Sequence, residues 1–121
     1  MTGPAGDRPP GVDVEAMRRR LQAGREAVLA ASAASADSRD PVGLDQASVG
    51  RLSRMDAMQQ QAMALATERR RASGLARVDA ALSRVETGEY GWCVRCGEAV
   101  APGRLALDPA APVCVACAAA G

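Results

Sequence analysis

Apolar residues recur at helical spacing in two long stretches of this chain. Val14, Met17, Leu21 and Val28 fall three, four and seven residues apart, with Arg18, Arg19, Arg25 and Glu26 on the other faces. The pattern predicts an amphipathic helix over about residues 13–36, with Asp13 as N-cap. Gly24 stands where the stripe would carry an apolar side chain, which weakens the helix unless a partner approaches closely there. Pro41 removes a backbone donor and disfavours helix at Asp40, so the helix must break within residues 37–43. A second helical pattern starts near Leu44 or Asp45 and runs to about Glu86, carried by Val49, Leu52, Met55, Met63, Leu75, Val78, Leu82 and Val85. At about 1.5 Å per residue it would be roughly 60 Å long. Its natural partner is the first helix, folded back as an antiparallel pair. Gln59, Gln60 and Gln61 interrupt the apolar seam, and Ala62 and Ala66 stand where leucines would stabilise more.

Composition supports thin helical packing over a thick core. The chain has 121 residues, 27 of them alanine, no Phe, and only Tyr90 and Trp92 as aromatics. Alanine favours helix but contributes little buried surface. Residues 1–12 are rich in Pro and Gly and read as a flexible leader. The domain organisation that follows is a leader over 1–12, an antiparallel helical hairpin over 13–87 with its turn near 37–44, and a Gly- and Pro-punctuated module over 88–121. That last module has room for a small ribbon and a turn, with no third helix after the last cysteine.

The module carries the chemistry. Cys93 and Cys96 form one C-x2-C pair and Cys114 and Cys117 another, a spacing that reads as a four-cysteine zinc site. Each pair can turn both sulfurs toward one ion, and Gly97 suits the tight turn after Cys96. Two disulfides, free thiols or a redox pair are the alternatives. Four thiolates leave no open position for water or substrate, so the one Zn²⁺ is read as structural rather than catalytic. Arg95 and Arg104 either offset the site's negative charge or are solvated surface residues. The chain contains no histidine, and no nucleophile-base pair or phosphate-binding loop appears, which argues against an enzyme. No signal peptide or apolar membrane span is evident, so a cytoplasmic protein is expected. The formal charge is +1, and four ionised thiols around one Zn²⁺ would make it −1. Direct DNA binding driven by bulk charge is therefore not expected.

Three segments carry a family resemblance: RVDAALSRVETGEYGWCVRCGE over 77–98, PGRLALDP over 102–109, and VCVAC over 113–117. Together they resemble the DksA/TraR family of bacterial RNA polymerase regulators. The resemblance implies a mostly α fold, a long coiled-coil hairpin followed by a small C-terminal four-cysteine zinc ribbon. It also implies a non-enzymatic regulator that inserts its hairpin tip into the secondary channel of RNA polymerase. The family's tip motif D-x-x-D-x-A is matched in part: Asp45 and Ala47 fit, Val42 replaces the first acidic residue, and Asp40 lies nearby. Arg51 and Arg54, just past the turn, are read as contacts to the partner, the alternative being solvated arginines of the helix face near Asp56. The family's site for guanosine tetraphosphate uses basic residues on the helix before the finger, where Arg70 and Arg77 fall, and others after the last cysteine. The tail Ala118-Ala119-Ala120-Gly121 supplies none, which argues against alarmone binding in the family's manner. The rival reading is a zinc-ribbon adaptor that binds another protein without acting on polymerase.

Overall fold

The computed structural model describes residues 8–36 and 51–121, the side chains of Arg51 and Leu52 excepted. Four helices follow one another: α1 (Val14–Ala34), α2 (Arg51–Thr87), α3 (Pro102–Leu107) and α4 (Val115–Ala120). The expected turn of the hairpin, 37–44, lies outside the described residues. No described helix is long and apolar enough to cross a membrane. The chain divides into two compact units, one from Met1–Glu26 with Leu75–Gly121 and the other Ala27–Gly74.

The first unit holds the core. Asp13 caps α1 as its sequence position suggests, its Oδ1 accepting from the Ala16 amide at 3.1 Å. Val14, Met17 and Leu21 face α2, and Leu21 is buried against Ala81 and Val85. The two helices run antiparallel here: Arg18 pairs with Glu86, and one turn-pair later Arg25 Nε meets Asp79 Oδ1 at 2.8 Å. After Thr87 the chain turns sharply, and the amides of Glu89 and Tyr90 both point back at the Arg84 carbonyl, at 2.8 and 3.1 Å. Tyr90, Cys93, Val100, Leu105, Ala110 and Ala111 complete the core. Tyr90 is the one large aromatic in it, and its hydroxyl donates to the Pro109 carbonyl at 2.7 Å, so the buried ring leaves no polar atom unpaired.

Residues 8–12, expected as part of a leader, pack onto this unit. Pro9 is buried and Val12 half-buried. A Cβ on Gly91 would stand 2.3 Å from Pro9 Cγ, so only glycine lets the two segments meet; its φ of +89° favours glycine as well.

The module over 88–121 departs from the expected ribbon. Among the described residues its only strand-like pairing is a single antiparallel bridge between Trp92 and Ala99, and α3 and α4 take the rest. The expectation of a ribbon and a turn with no third helix after the last cysteine is corrected here, since α4 runs through Cys117 to Ala120. Pro102 opens α3 at its first turn, where a missing N–H is harmless, and the alanine-rich VACAAA continues helically once Cys114 caps it. Leu105 turns into the core while Leu107 stays 89% exposed.

The second unit is built differently. The α2 residues not fully exposed there are chiefly Arg54, Ala57, Gln61, Ala64, Glu68 and Arg71, alternating three and four apart as in a coiled-coil seam. Met55 and Met63, expected on that seam, are instead 57% and 68% exposed. The seam is polar: Ser32 Oγ donates to Glu68 Oε2 at 3.1 Å, and Arg71 Nη1 donates to Ser35 Oγ at 2.8 Å. In the first unit, Gly24 is approached by no partner, since a Cβ there would meet nothing within 4 Å.

Candidate metal centre

Two backbone turns bring the four cysteines together. In the first, the Gly97 amide bonds to the Cys93 carbonyl at 2.9 Å while the Cys93 amide bonds to the Glu98 carbonyl at 2.7 Å. Gly97, at φ +81°, makes the reversal that a side chain would strain. The Arg95 and Cys96 amides thereby point at Cys93 Sγ, each 3.4 Å away. The second turn repeats the device at a helix start: Cys114 is the N-cap of α4 and its Sγ accepts from the Cys117 amide at 3.4 Å. The two turns are joined by the Val94 amide, which bonds to the Pro112 carbonyl at 3.0 Å, and by Arg95 Nη1, 3.3 Å from the Cys117 carbonyl. Arg104 donates from Nε to the Val113 carbonyl at 2.9 Å. Both arginines therefore serve the loops that carry the sulfurs, a role between the two expected for them.

The donor set fits zinc. The four Sγ atoms all lie within 4.8 Å of one another, and Cys96 and Cys114 stand 3.7 Å apart. A tetrahedral ion with Zn–S bonds of about 2.3 Å requires S···S separations of about 3.8 Å. The electrostatics agree. Burial opposes ionisation of Cys93, but backbone N–H groups of Cys114, Cys96 and Arg95 together outweigh it and lower the thiol to about 6. Hydrogen bonding with Cys114 and Cys93, followed by burial, pushes the Cys117 thiol up to about 12. Four thiols this close cannot all ionise alone. A divalent cation removes that conflict, and when bound it supplies a cross-link between the two loops. Four converging sulfurs, with Cys93 buried among them, are thus placed to bind one metal ion.

The other candidate residues are scattered. Asp40, Asp45 and Ala47 lie outside the described residues, and Arg51 opens α2 with its side chain undescribed. Arg54 is half-buried. Arg70 is exposed and donates to Thr67 Oγ1 of its own helix at 3.0 Å. Arg77 is also exposed, but its Nη2 lies 2.7 Å from Asp108 Oδ2. Sequence reasoning missed the seating of Pro9 on Gly91, for which an exposed-looking Pro-Gly segment gives no signal. It also missed the Tyr90 bond to Pro109, although a lone tyrosine beside a metal loop is a fair hint of a buried, hydrogen-bonded ring.

Comparison with known proteins places these features. The family model of the prokaryotic DksA/TraR C4-type zinc finger matches residues 88–120. No curated protein matches the chain by sequence. Among solved structures, the transcription factor DksA2 from Pseudomonas aeruginosa superposes with a TM-score of 0.73 at 26% identity, over 88% of this chain and 81% of that one. Residues 88–120 thus match the DksA/TraR C4-type zinc finger, and the chain is similar in fold to the transcription factor DksA2.

Proposed function

We propose that this protein is a non-enzymatic, cytoplasmic transcription regulator that binds RNA polymerase and inserts its hairpin tip into the secondary channel to modulate initiation. The supporting observation is the combination of a DksA/TraR finger with a fold that matches the transcription factor DksA2 over most of both chains. In this reading Asp45, with Asp40 and Ala47, works at the tip near the catalytic metal of polymerase. Arg51 and Arg54 contact the channel walls, the zinc finger seats on the rim, and Arg70 is a candidate rim contact of its own. Arg77 is already paired with Asp108, which favours an action independent of guanosine tetraphosphate.

The test is co-purification of the zinc-loaded protein with RNA polymerase, beside the D45A/R51E double variant. Binding by the native chain and loss in the variant supports insertion through the tip. Absence of binding by a protein carrying one zinc per chain would sink the proposal and leave the adaptor reading.

A further inference from the structure

Cys93 and Cys96 sit on a loop, 91–100, that is closed by very little. The Val100 amide bonds to the Gly91 carbonyl at 2.8 Å, the Cys93 amide bonds to the Glu98 carbonyl at 2.7 Å, and Trp92 bridges to Ala99 between them. A two-stranded pairing this short is marginal on its own, so both ends of the loop need support. At the end that carries the sulfurs, a bound metal supplies it as a cross-link. At the open end the support comes from residues 8–12. Pro9 is buried and sits on Gly91, and Gly11, at φ +72°, lies so near Pro102 that a Cβ on it would stand 3.0 Å from Pro102 Cγ.

These contacts are held by shape alone. Among the described residues no hydrogen bond joins residues 8–12 to the finger, and Pro9 and Pro10 have no amide to donate. Van der Waals contact fades with a shift of a fraction of an ångström, so a segment held this way opens at small cost when the backbone beneath it moves. That backbone is tied to the metal: Gly91 lies two residues before Cys93, and its carbonyl accepts one of the two bonds that close the loop.

We propose that residues 8–12 form a metal-responsive strap, seated on Gly91 and Pro102 while zinc holds loop 91–100 and released when the metal is lost. Release uncovers Gly91 and Pro102 and frees the chain ahead of α1, so the state of the cysteines is read out at the start of the first helix. The coupling is reciprocal: if zinc seats the strap, the strap strengthens zinc binding by the same factor. The device rests on the metal site and not on the hairpin tip, so it stands or falls separately from the action on polymerase.

The experiment compares the full chain with zinc bound and after chelation under reducing conditions. The heteronuclear NOE of the Gly11 amide should fall to that of a mobile segment on chelation, while that of Leu21, buried in the helical hairpin, holds. Pro9→Ala should weaken zinc binding on the order of fivefold in competition with a chelator. The same variant should lower the Tm of the zinc-loaded protein and leave that of the metal-free protein unchanged, because the strap is already released there. The proposal is overturned if Gly11 stays as ordered without zinc as with it, if Gly11 and Leu21 loosen together, or if Pro9→Ala leaves zinc affinity unchanged. It is overturned as well if Pro9→Ala lowers Tm equally in both states, which makes Pro9 an ordinary core residue.

Discussion

Arg77 of the long helix and Asp108 of the loop after α3 meet at 2.7 Å, Nη2 to Oδ2, and the same carboxylate turns its Oδ1 to the Ala110 amide at 3.2 Å. One acidic residue thus orders its own loop and ties it to α2. Both side chains remain nearly half exposed, at 48% and 44%, so solvent screens the pair. A double-mutant cycle with Arg77→Ala and Asp108→Ala should give a coupling of about 0.5 kcal/mol that shrinks in high salt. Asp108→Ala should destabilise more than Arg77→Ala, because it also releases the Ala110 amide. Denaturant unfolding at low and high salt measures both.

Tyr90 makes the protein sensitive to alkali. Burial, against the opposing charges of Arg84 and Arg20, raises its phenol from 10.0 to about 12. The folded state therefore holds the proton more tightly than the unfolded chain. That preference is fully present below about pH 10 and is lost as the pH rises from there through about 12. The phenolate absorbance of this single tyrosine should appear only near pH 12 in the folded protein and near pH 10 after unfolding. Tyr90→Phe should remove this alkaline component and cost about 1 kcal/mol at neutral pH through the unpaired Pro109 carbonyl.

Three glycines should respond in opposite directions to the same change. A Cβ at Gly24 or Gly74 would meet nothing within 4 Å, so alanine at either position should stabilise the helix by about 0.5 to 1 kcal/mol. Gly91→Ala would drive a methyl into Pro9 at a φ suited to glycine, and should destabilise by about 1 to 3 kcal/mol. Thermal unfolding ranks the three, and hydrogen exchange over residues 8–12 should accelerate in Gly91→Ala alone.

The polar seam of the second unit limits its stability. Glu68 and Arg71 lie 3.7 Å apart on adjacent seam positions, with side chains 30% and 28% exposed. Replacing both by leucine should stabilise the unit by about 1 to 2 kcal/mol. Arg71→Leu alone should gain less, since it removes the Arg71 contact from Glu68 while keeping that carboxylate on the seam. Hydrogen exchange of amides within Ala27–Gly74 reads the difference.

Zinc removal should act locally. The hairpin helices α1 and α2 hold 21 and 37 residues against 6 each in α3 and α4, so chelation should leave most of the helical circular dichroism. Trp92 and Tyr90, adjacent to Cys93, should change their fluorescence sharply. Acidification should release the metal too, because protons compete for the thiolates. Cys114→Ser should impair zinc retention while keeping an N-cap oxygen for α4.

Much of the molecule was legible because its signals are local. The spacing of Val14, Met17 and Leu21 against Leu75, Val78, Leu82 and Val85 marks two helices, and Asp13 marks where the first begins. The C-x2-C pairs specify the metal site, since a two-residue loop can turn both sulfurs one way whatever surrounds it. Local pattern misled at Met55 and Met63. Their apolarity suggested a seam, but helical phase placed Gln61, Glu68 and Arg71 there, with Ser32 and Ser35 of the facing segment bonding to Glu68 and Arg71. The short α3 and α4 were missed for a related reason. Six residues cannot sustain a helix alone, and theirs exist because Leu105 fills the core and Cys114 is held among the other cysteines.

By itself, then, the sequence determined the two long helices, the four sulfurs and the finger's likeness to the DksA/TraR type, all encoded by local spacing and short motifs. Only the tertiary structure decided that Pro9 packs on Gly91 and that Arg77 is paired with Asp108. Those relations join residues far apart in the chain, and their geometry depends on how each segment packs, which no local pattern of residue types records.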